Sequence, residues 1–287
     1  WMGLAGWEDK RFDLPRELDA LVHAGRRDPM SSPWPAPVRA LTRSGTRVEC
    51  RRLRADLGAD AALWTRVWAQ RVLTPTERAE LERRPLATTR RLEALAARTA
   101  AKEAVRQVLR RDHGRDVELL DIEITADGNG RPIVGGVAVA DLSEPPVVSM
   151  AHAGGIAVAL AAPGGDVGVD IEPLDRRHEG LAGAAFQAGE LELIASAAGP
   201  DRDEWTLRCF CAKEALAKAL GTGLLRSPRE LVVAAVDPAA GTVTLTLGSD
   251  LAALRPDLAD SPIVVHTVRD EGLIASTTVA EKGGPPR

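Results

Sequence analysis

Residues 167–173 read Val-Gly-Val-Asp-Ile-Glu-Pro, and this heptapeptide decides how the rest of the chain is interpreted. Its apolar and polar residues alternate, which is typical of a half-buried β-strand. Because side chains two positions apart share a face, Asp170 and Glu172 point the same way as Gly168, away from the core. Two neighbouring carboxylates repel each other unless a cation lies between them, and a hard cation such as Mg²⁺ meets that need. We expect Gly168 to leave room for a ligand; a solvated acidic face is the alternative.

A second informative stretch covers residues 205–221 and reads Trp-Thr-Leu-Arg-Cys-Phe-Cys-Ala-Lys-Glu-Ala-Leu-Ala-Lys-Ala-Leu-Gly. Its pattern predicts a helix that ends at Gly221. Glu214 and Lys218 are four positions apart and therefore lie on one face of that helix. An ordinary surface ion pair is the alternative interpretation of these two residues.

The periodicity of the remaining chain predicts an α+β protein. Helices are predicted at residues 61–70, 75–83, 88–111, 190–197 and 205–220. Strands are predicted at residues 119–125, near 133, and at 147–150, 156–160, 167–171, 231–236, 242–247, 263–268 and 273–279.

Helices followed by strands occur twice, in residues 56–165 and 166–280. This order predicts two pseudo-symmetric halves, each a helix packed on a small antiparallel sheet, although no close sequence repeat accompanies it. Residues 1–55 are rich in Pro and Arg, which predicts an N-terminal arm or linker that catalysis does not need. Residues 281–287 are interpreted as a tail.

Composition excludes several classes of protein. The 287 residues carry a formal net charge of −4, which argues against a protein that coats nucleic acid without sequence preference. The three cysteines follow no metal-ligand spacing and suit a reducing compartment. No apolar run is long enough to span a bilayer, so we expect a soluble, cytoplasmic protein.

The predicted helix at 88–111 carries a basic stripe formed by Arg91, Arg98 and Lys102. A solvated face is the default interpretation of such a stripe. A ligand with several phosphates is the alternative, because guanidinium groups match phosphate oxygens.

The Gly-Val-Asp-Ile-Glu and Phe-Cys-Ala-Lys-Glu-Ala-Leu-Ala-Lys segments, about forty residues apart, together resemble the paired signatures of the 4'-phosphopantetheinyl transferase superfamily. The Asp-x-Glu form and the doubled length resemble its surfactin-synthetase-activating type. Residues 149–154 are similar to the family's Ser-x-Ser-His-Ser-Gly stretch, with His152 kept and alanines at 151 and 153. Arg131 lies in a Gly-Arg-Pro turn similar to the family's Gly-Lys-Pro, and Glu190 closes a segment similar to its Phe-(x)₃-Glu.

The resemblance implies that the protein transfers the 4'-phosphopantetheine of coenzyme A to a serine of an acyl or peptidyl carrier protein and releases 3',5'-ADP. It implies Mg²⁺, for which Mn²⁺ would substitute, held by Asp170, Glu172 and Glu214. The implied coenzyme A contacts are Arg91, Arg98, Lys102, Arg131, His152, Lys213 and Lys218. The implied catalytic residues are Glu190, Glu214 and Lys218, with either glutamate as the base that takes the serine proton.

Two other functions remain open from sequence alone: a catalytically inactive carrier-protein docking module, and an unrelated metal-dependent phosphodiesterase. The Trp1-Met2 start and the helix from Arg91 to Lys102 resemble transferase domains of polyketide synthases, with a free-standing enzyme as the alternative. Because two halves in one chain form a pseudo-dimer, we expect the protein to be a monomer. We also expect it to bind neither nucleic acid nor membrane.

Overall fold

The computed structural model describes residues 49–54, 61–175, 180–222, 228–270 and 272–280. Its helices are α1 (Ala61–Val72), α2 (Pro75–Arg83), α3 (Thr88–His113), α4 (Leu181–Ala185), α5 (Ala188–Ala198), α6 (Arg202–Leu220) and α7 (Ser249–Leu254). Its strands are β1 (Glu49–Arg54), β2 (Glu123–Ala126), β3 (Pro132–Gly135), β4 (Val147–Ala153), β5 (Ile156–Ala162), β6 (Asp166–Pro173), β7 (Leu231–Asp237), β8 (Thr242–Leu247), β9 (Ile263–Asp270) and β10 (Leu273–Ala280). None of the helices in these ranges is long and apolar enough to cross a membrane.

The chain repeats one order of elements. A strand, three helices and four strands run from β1 to β5, and the same order runs from β6 to β10 except that α7 is inserted between β8 and β9. The first sheet has the order β1-β5-β4, and its counterpart β6-β10-β9 is extended by β8 and β7, whereas β2 and β3 form a separate hairpin. The predicted α+β fold of two similar halves, each a helix on an antiparallel sheet, is confirmed.

Each half is built around one long helix. In the first half, Leu95, Val105 and Leu109 of α3 are fully buried against β5 residues such as Ala159. Burial of side chains of this size stabilises by about 1.5–3 kcal/mol each. The helix ends where Gly114 adopts a left-handed conformation, with φ of 64°. In the second half, α6 is buried against β6 and β10 in the same manner.

The two sheets pack face to face. Because side chains alternate along β5, Val158 and Leu160 turn away from α3 and join Val169 of β6 and Ala275 of β10 in one apolar cluster. The Val169 N–H also donates a hydrogen bond of 3.2 Å to Ser149 Oγ in β4. The layers are therefore α3, first sheet, second sheet and α6, and β6 lies at the junction of the halves.

Three local differences from the sequence-based expectations appear. Residues 49–54, inside the expected N-terminal arm, form β1 and pair with β5, with Cys50 opposite Leu160. Leu119–Asp121 forms a 3₁₀ turn, so the strand expected from 119 begins only at Glu123. Helices α4 and α7 were not expected. The rest of the arm, residues 1–48 and 55, and the tail at 281–287 lie outside the described residues.

Candidate active site at the junction of the two halves

Gly168 determines how close α6 comes to β6. A Cβ atom at this position would lie 1.9 Å from the carbonyl oxygen of Ala215, so the helix backbone occupies the space that a side chain would need. The expectation that Gly168 leaves room for a ligand is therefore wrong, because that room is filled by α6. The close approach brings Glu214 and Lys218 of α6 to the face of β6 that carries Asp170.

Asp170 and Lys218 form an ion pair in this contact. The Lys218 Nζ donates to Asp170 Oδ1 at 2.7 Å. Asp170 is buried, and its second oxygen, Oδ2, is buried without a hydrogen-bond partner. Burial acts to lower the pKa of Lys218, but attraction to Asp170 outweighs it and raises that pKa above the usual value. The pair thus presents a fixed positive charge and one unused carboxylate oxygen.

Glu214 completes an acidic cluster with Asp170 and Glu172. It is only 7% exposed. Burial, and then repulsion from Asp170, raises the pKa of Glu214 to about 7, with Lys218 acting in the opposite direction and Glu172 adding to the rise. Glu172 is half-buried near the end of β6, opposite Ile274 of β10. Lys218 is the cation that both pairs with Asp170 and counteracts the rise in the pKa of Glu214.

The acidic cluster fits a hard divalent cation in part. Among the residues described here, no three His, Cys, Asp or Glu side chains are arranged as a complete metal site. However, Mg²⁺ is commonly bound by one or two carboxylates, with waters and substrate phosphates supplying the remaining oxygens. The unpartnered Asp170 Oδ2 and the mutual repulsion with Glu214 are the features expected of such an open set.

The first half contributes His152 and a cavity of about 170 Å³ between α2, α3 and β4. The cavity is lined by His152, Met150, Leu95 and Arg98, among other residues. Burial lowers the pKa of His152, Glu93 counteracts this, and the charges of Lys218 and Arg90 lower it further. Since Lys218 acts on both His152 and Asp170, the cavity and the acidic cluster lie within electrostatic range of each other.

Two of the predicted phosphate-binding arginines lie beside this region. Arg98 lines the cavity and pairs with Glu80 at 3.1 Å. Arg131, from the turn between β2 and β3, pairs with Asp166 at 2.8 Å. Its side chain packs on Gly221, the residue that ends α6 just after Lys218. Arg131 therefore reaches from the first half to the end of the helix that carries the acidic cluster.

The third residue of the basic stripe, Arg91, is half-buried near the start of α3 and makes no ion pair with any described residue. Lys102 requires a correction. It is fully buried, and its Nζ donates to Glu77 Oε2 at 2.5 Å, to Val72 O at 2.7 Å and to Leu119 O at 3.1 Å. All three ammonium protons are engaged, so Lys102 has none to offer a ligand.

Glu190 and Lys213 require the same correction. The Lys213 Nζ lies 2.8 Å from Glu190 Oε1, donates to Ala185 O at 2.7 Å, and sits 4.3 Å from the centre of the Phe186 ring. Both oxygens of Glu190 also accept backbone hydrogen bonds, from Gln187 and from Val233. Both residues are buried and engaged in these contacts, so the structure does not place Glu190 to take a proton from a substrate.

The buried pairs Glu77–Lys102 and Glu190–Lys213 have the same arrangement in the two halves. Glu77 and Glu190 each take part in a capping box that begins a short helix, and each accepts a hydrogen bond from a strand N–H and from a lysine of the long helix. The sequence contained a signal for this: residues 101–104 and 212–215 both read Ala-Lys-Glu-Ala. The expectation that no close sequence repeat accompanies the duplicated order was therefore incomplete.

The fold and the site together define a class: a duplicated α+β protein whose second half carries a cluster of carboxylates and a lysine within electrostatic range of His152 in the first half. Residues 166–263, which include the whole cluster, match the family model described as the 4'-phosphopantetheinyl transferase superfamily. That match covers most of the second half of the chain.

The chain is also similar to a holo-[acyl-carrier-protein] synthase of Geobacillus kaustophilus (strain HTA426), with 41% identity over 70 residues, 24% of this chain and 53% of that protein. The chain thus spans about half the length of this curated relative. Among solved structures it is similar to a holo-(acyl-carrier-protein) synthase of Bacillus anthracis in complex with CoA (3',5'-ADP), with 25% identity, 40% of this chain and 91% of that chain covered, and a TM-score of 0.31. An ACPS–CoA complex of Chronobacterium ammoniagenes is similar at 23% identity, with 40% and 92% covered and a TM-score of 0.32.

Proposed function

We propose that this protein is a 4'-phosphopantetheinyl transferase that moves the phosphopantetheine arm of coenzyme A onto a serine of an acyl or peptidyl carrier protein and releases 3',5'-ADP. The observation that carries the proposal is the acidic cluster of Asp170, Glu172 and Glu214 beside Lys218. It lies in the second half, inside the segment that matches the transferase superfamily, and its Lys218 is within electrostatic range of His152 in the first half. A partly compensated group of carboxylates next to phosphate-binding cations suits the pyrophosphate of coenzyme A.

The chain's own residues divide the work by position. Asp170, Glu172 and Glu214 would hold Mg²⁺, which when bound would act as a Lewis acid and a template for the pyrophosphate. Lys218 offsets negative charge that develops during transfer, and Arg131 adds a second positive charge from the first half. His152 and Arg98 bind the 3'-phosphate end of coenzyme A. Arg91, which has no ion-pair partner among the described residues, remains available for the same role.

Glu214 is the base in this proposal, because Glu190 is committed to the fold. Glu214 therefore takes the proton of the attacking serine, directly or through a water, while the oxygen of that serine forms the new bond to phosphorus.

The finer assignment is the surfactin-synthetase-activating type. It is supported by the duplicated order of elements and by a candidate site to which both halves contribute. Such a chain needs no second copy, so we propose a monomer. A domain of a polyketide synthase remains our preferred setting over a free-standing enzyme, on the resemblance of the helix that carries Arg91.

The direct test is the intact mass of an apo carrier protein after incubation with this protein, coenzyme A and Mg²⁺. The proposal expects a mass gain of one phosphopantetheine group, lost in Asp170→Asn and kept in the exposed control Glu192→Gln. Release of 3',5'-ADP without any carrier would favour a phosphodiesterase instead. Binding of the carrier without a mass gain would favour an inactive docking module.

A further inference from the structure

Glu93 of α3 joins two features of the first half that the proposed function uses only separately. Its Oε1 accepts a hydrogen bond from the backbone N–H of Gly155 at 2.9 Å. Its Oε2 lies 3.4 Å from Nδ1 of His152. One carboxylate therefore contacts both the turn between β4 and β5 and the imidazole that precedes this turn. The Glu93 side chain is 14% exposed, so it is largely shielded from solvent.

Glu93 opposes the effect of the positive charges around His152. Arg90 on α3 and Lys218 on α6 are both cationic and both disfavour a protonated imidazole, as does burial. Glu93 is the neighbour that favours the protonated ring. Because Nδ1 faces Glu93, Nε2 is the ring nitrogen that can face a ligand, and it donates a hydrogen bond only while it carries a proton.

We propose that Glu93 is a positioning residue that holds His152 with Nδ1–H toward its own carboxylate, so that in the protonated ring Nε2–H points toward a phosphate monoester of the substrate. The identity of that ligand as the 3'-phosphate of coenzyme A rests on the proposed function. The positioning itself rests on the two contacts of the Glu93 carboxylate.

The second half provides an internal comparison. Glu204 of α6 contacts Arg269 of β9, with Arg269 Nη1 at 2.9 Å from Glu204 Oε2. His152 and Arg269 hold equivalent places, since each is the second paired residue from its hairpin turn: His152 opposite Ala157, and Arg269 opposite Ile274. The fold thus repeats a glutamate-to-cation contact from helix to strand, but only the first half places a titratable ring there.

The experiment compares Glu93→Gln with Glu204→Gln. Glutamine keeps an oxygen that can accept from Gly155 but removes the negative charge beside His152. In the ligand-free protein, NMR of the His152 ring nitrogens should show Nδ1 protonated in the neutral wild-type ring. In Glu93→Gln the His152 pKa should fall, because the charge that favours the protonated ring is removed, whereas Glu204→Gln should leave it unchanged.

The kinetic arm uses coenzyme A and dephospho-coenzyme A, which lacks the 3'-phosphate. Glu93→Gln should raise the KM for coenzyme A by about tenfold with kcat unchanged, since a remote contact contributes uniform binding. The KM for dephospho-coenzyme A should stay near the wild-type value. Glu204→Gln should alter neither KM.

Three results overturn the positioning role: a neutral wild-type ring protonated at Nε2 instead of Nδ1, a His152 pKa that is equal in Glu93→Gln and wild type, or a variant that only loses stability. The wild-type tautomer is decisive even if Glu93→Gln fails to fold. Failure of wild-type protein to bind coenzyme A would instead overturn the proposed function, because the NMR titration needs no ligand.

Discussion

Gly168 of β6 and Ala215 of α6 are in backbone contact, and a Cβ on the glycine would lie 1.9 Å from the alanine carbonyl oxygen. The distance between Asp170 and the pair Glu214 and Lys218 depends on this contact, because all three sit on the same two elements. A glycine two residues from Asp170, with no functional group of its own, therefore sets the geometry of the acidic cluster.

We predict that Gly168→Ala separates α6 from β6 and costs about 1–3 kcal/mol or more of unfolding free energy. Transfer activity should fall at least a hundredfold, since a displacement of about 1 Å at a reacting centre has that effect. Thermal unfolding and carrier-protein mass analysis measure the two losses. Gly164→Ala is the matched control, because a Cβ there meets no atom within 4 Å. Normal activity in Gly168→Ala would show that the cluster tolerates a wider spacing.

A second prediction concerns Glu190, which sequence reasoning proposed as a base. Breaking its buried pair with Lys213 should destabilise the fold by about 3–5 kcal/mol in Glu190→Gln. Turnover per folded molecule should stay near wild type. Urea unfolding gives the stability, and activity is then normalised to the folded fraction. The exposed Glu192→Gln on the same helix should change neither quantity. A stable Glu190→Gln protein with slow turnover would restore the catalytic role.

The same reasoning gives Glu77→Gln as a companion variant in the first half. Because Glu77 holds Lys102 in the equivalent arrangement, its substitution should cost a similar free energy of unfolding. A large effect in one half and none in the other would contradict the equivalence of the two buried pairs.

Glu214 makes the stability of the metal-free protein depend on pH. Its pKa is raised from 4.5 to about 7 in the folded state, so folding favours the protonated form. The folded protein therefore loses stability as the pH rises from about 4.5 to 7, by about 2–3 kcal/mol in total. Glu214→Gln removes this loss, so its advantage in melting temperature over wild type should be larger at pH 8 than at pH 4.5. The measurement is thermal unfolding in EDTA. A pH-independent difference in melting temperature would mean that burial and the acidic neighbours do not raise the pKa of Glu214.

The edge strand β1 changes the expectation for N-terminal truncations. A chain that begins at Leu57 lacks residues 49–54, which pair with β5 along their whole length. We predict that this truncation exposes the edge of the first sheet, lowers the melting temperature and promotes aggregation. A chain that begins at Val48 keeps the strand and should melt at a higher temperature. Equal melting temperatures for the two truncations would show that β1 contributes nothing to the first half.

Sequence periodicity predicted most of the helices and strands because each long helix and central strand buries a regular apolar face. It also placed Asp170 and Glu172 on one face of a strand and Glu214 and Lys218 on one face of a helix. It could not distinguish a lysine at the surface from Lys102. Helix α3 packs against β5 on one side and α1 on another, so its position on the helix wheel does not decide exposure.

Glu190 illustrates a second limit. A glutamate in the first turn of a helix has the same spacing whether it caps that helix, pairs with a buried lysine or abstracts a proton. Only the three-dimensional structure shows that both Glu190 oxygens already accept backbone hydrogen bonds. Glu93 was missed for a related reason, since its partner His152 is far away in sequence and no local pattern connects them.

The two halves differ in the surroundings of one equivalent glutamate, Glu103 in α3 and Glu214 in α6. Glu103 of α3 stands where Glu214 stands in α6, yet it is paired with Arg106 and Gln107 along its own helix. In an assembly of identical subunits, every substitution is repeated in each copy, so both members of a contact change together. In this protein both halves belong to one chain, so a mutation changes only one of the two halves. One half can therefore lose an acidic residue from a position where the other half keeps it, a divergence that a symmetric homodimer cannot undergo.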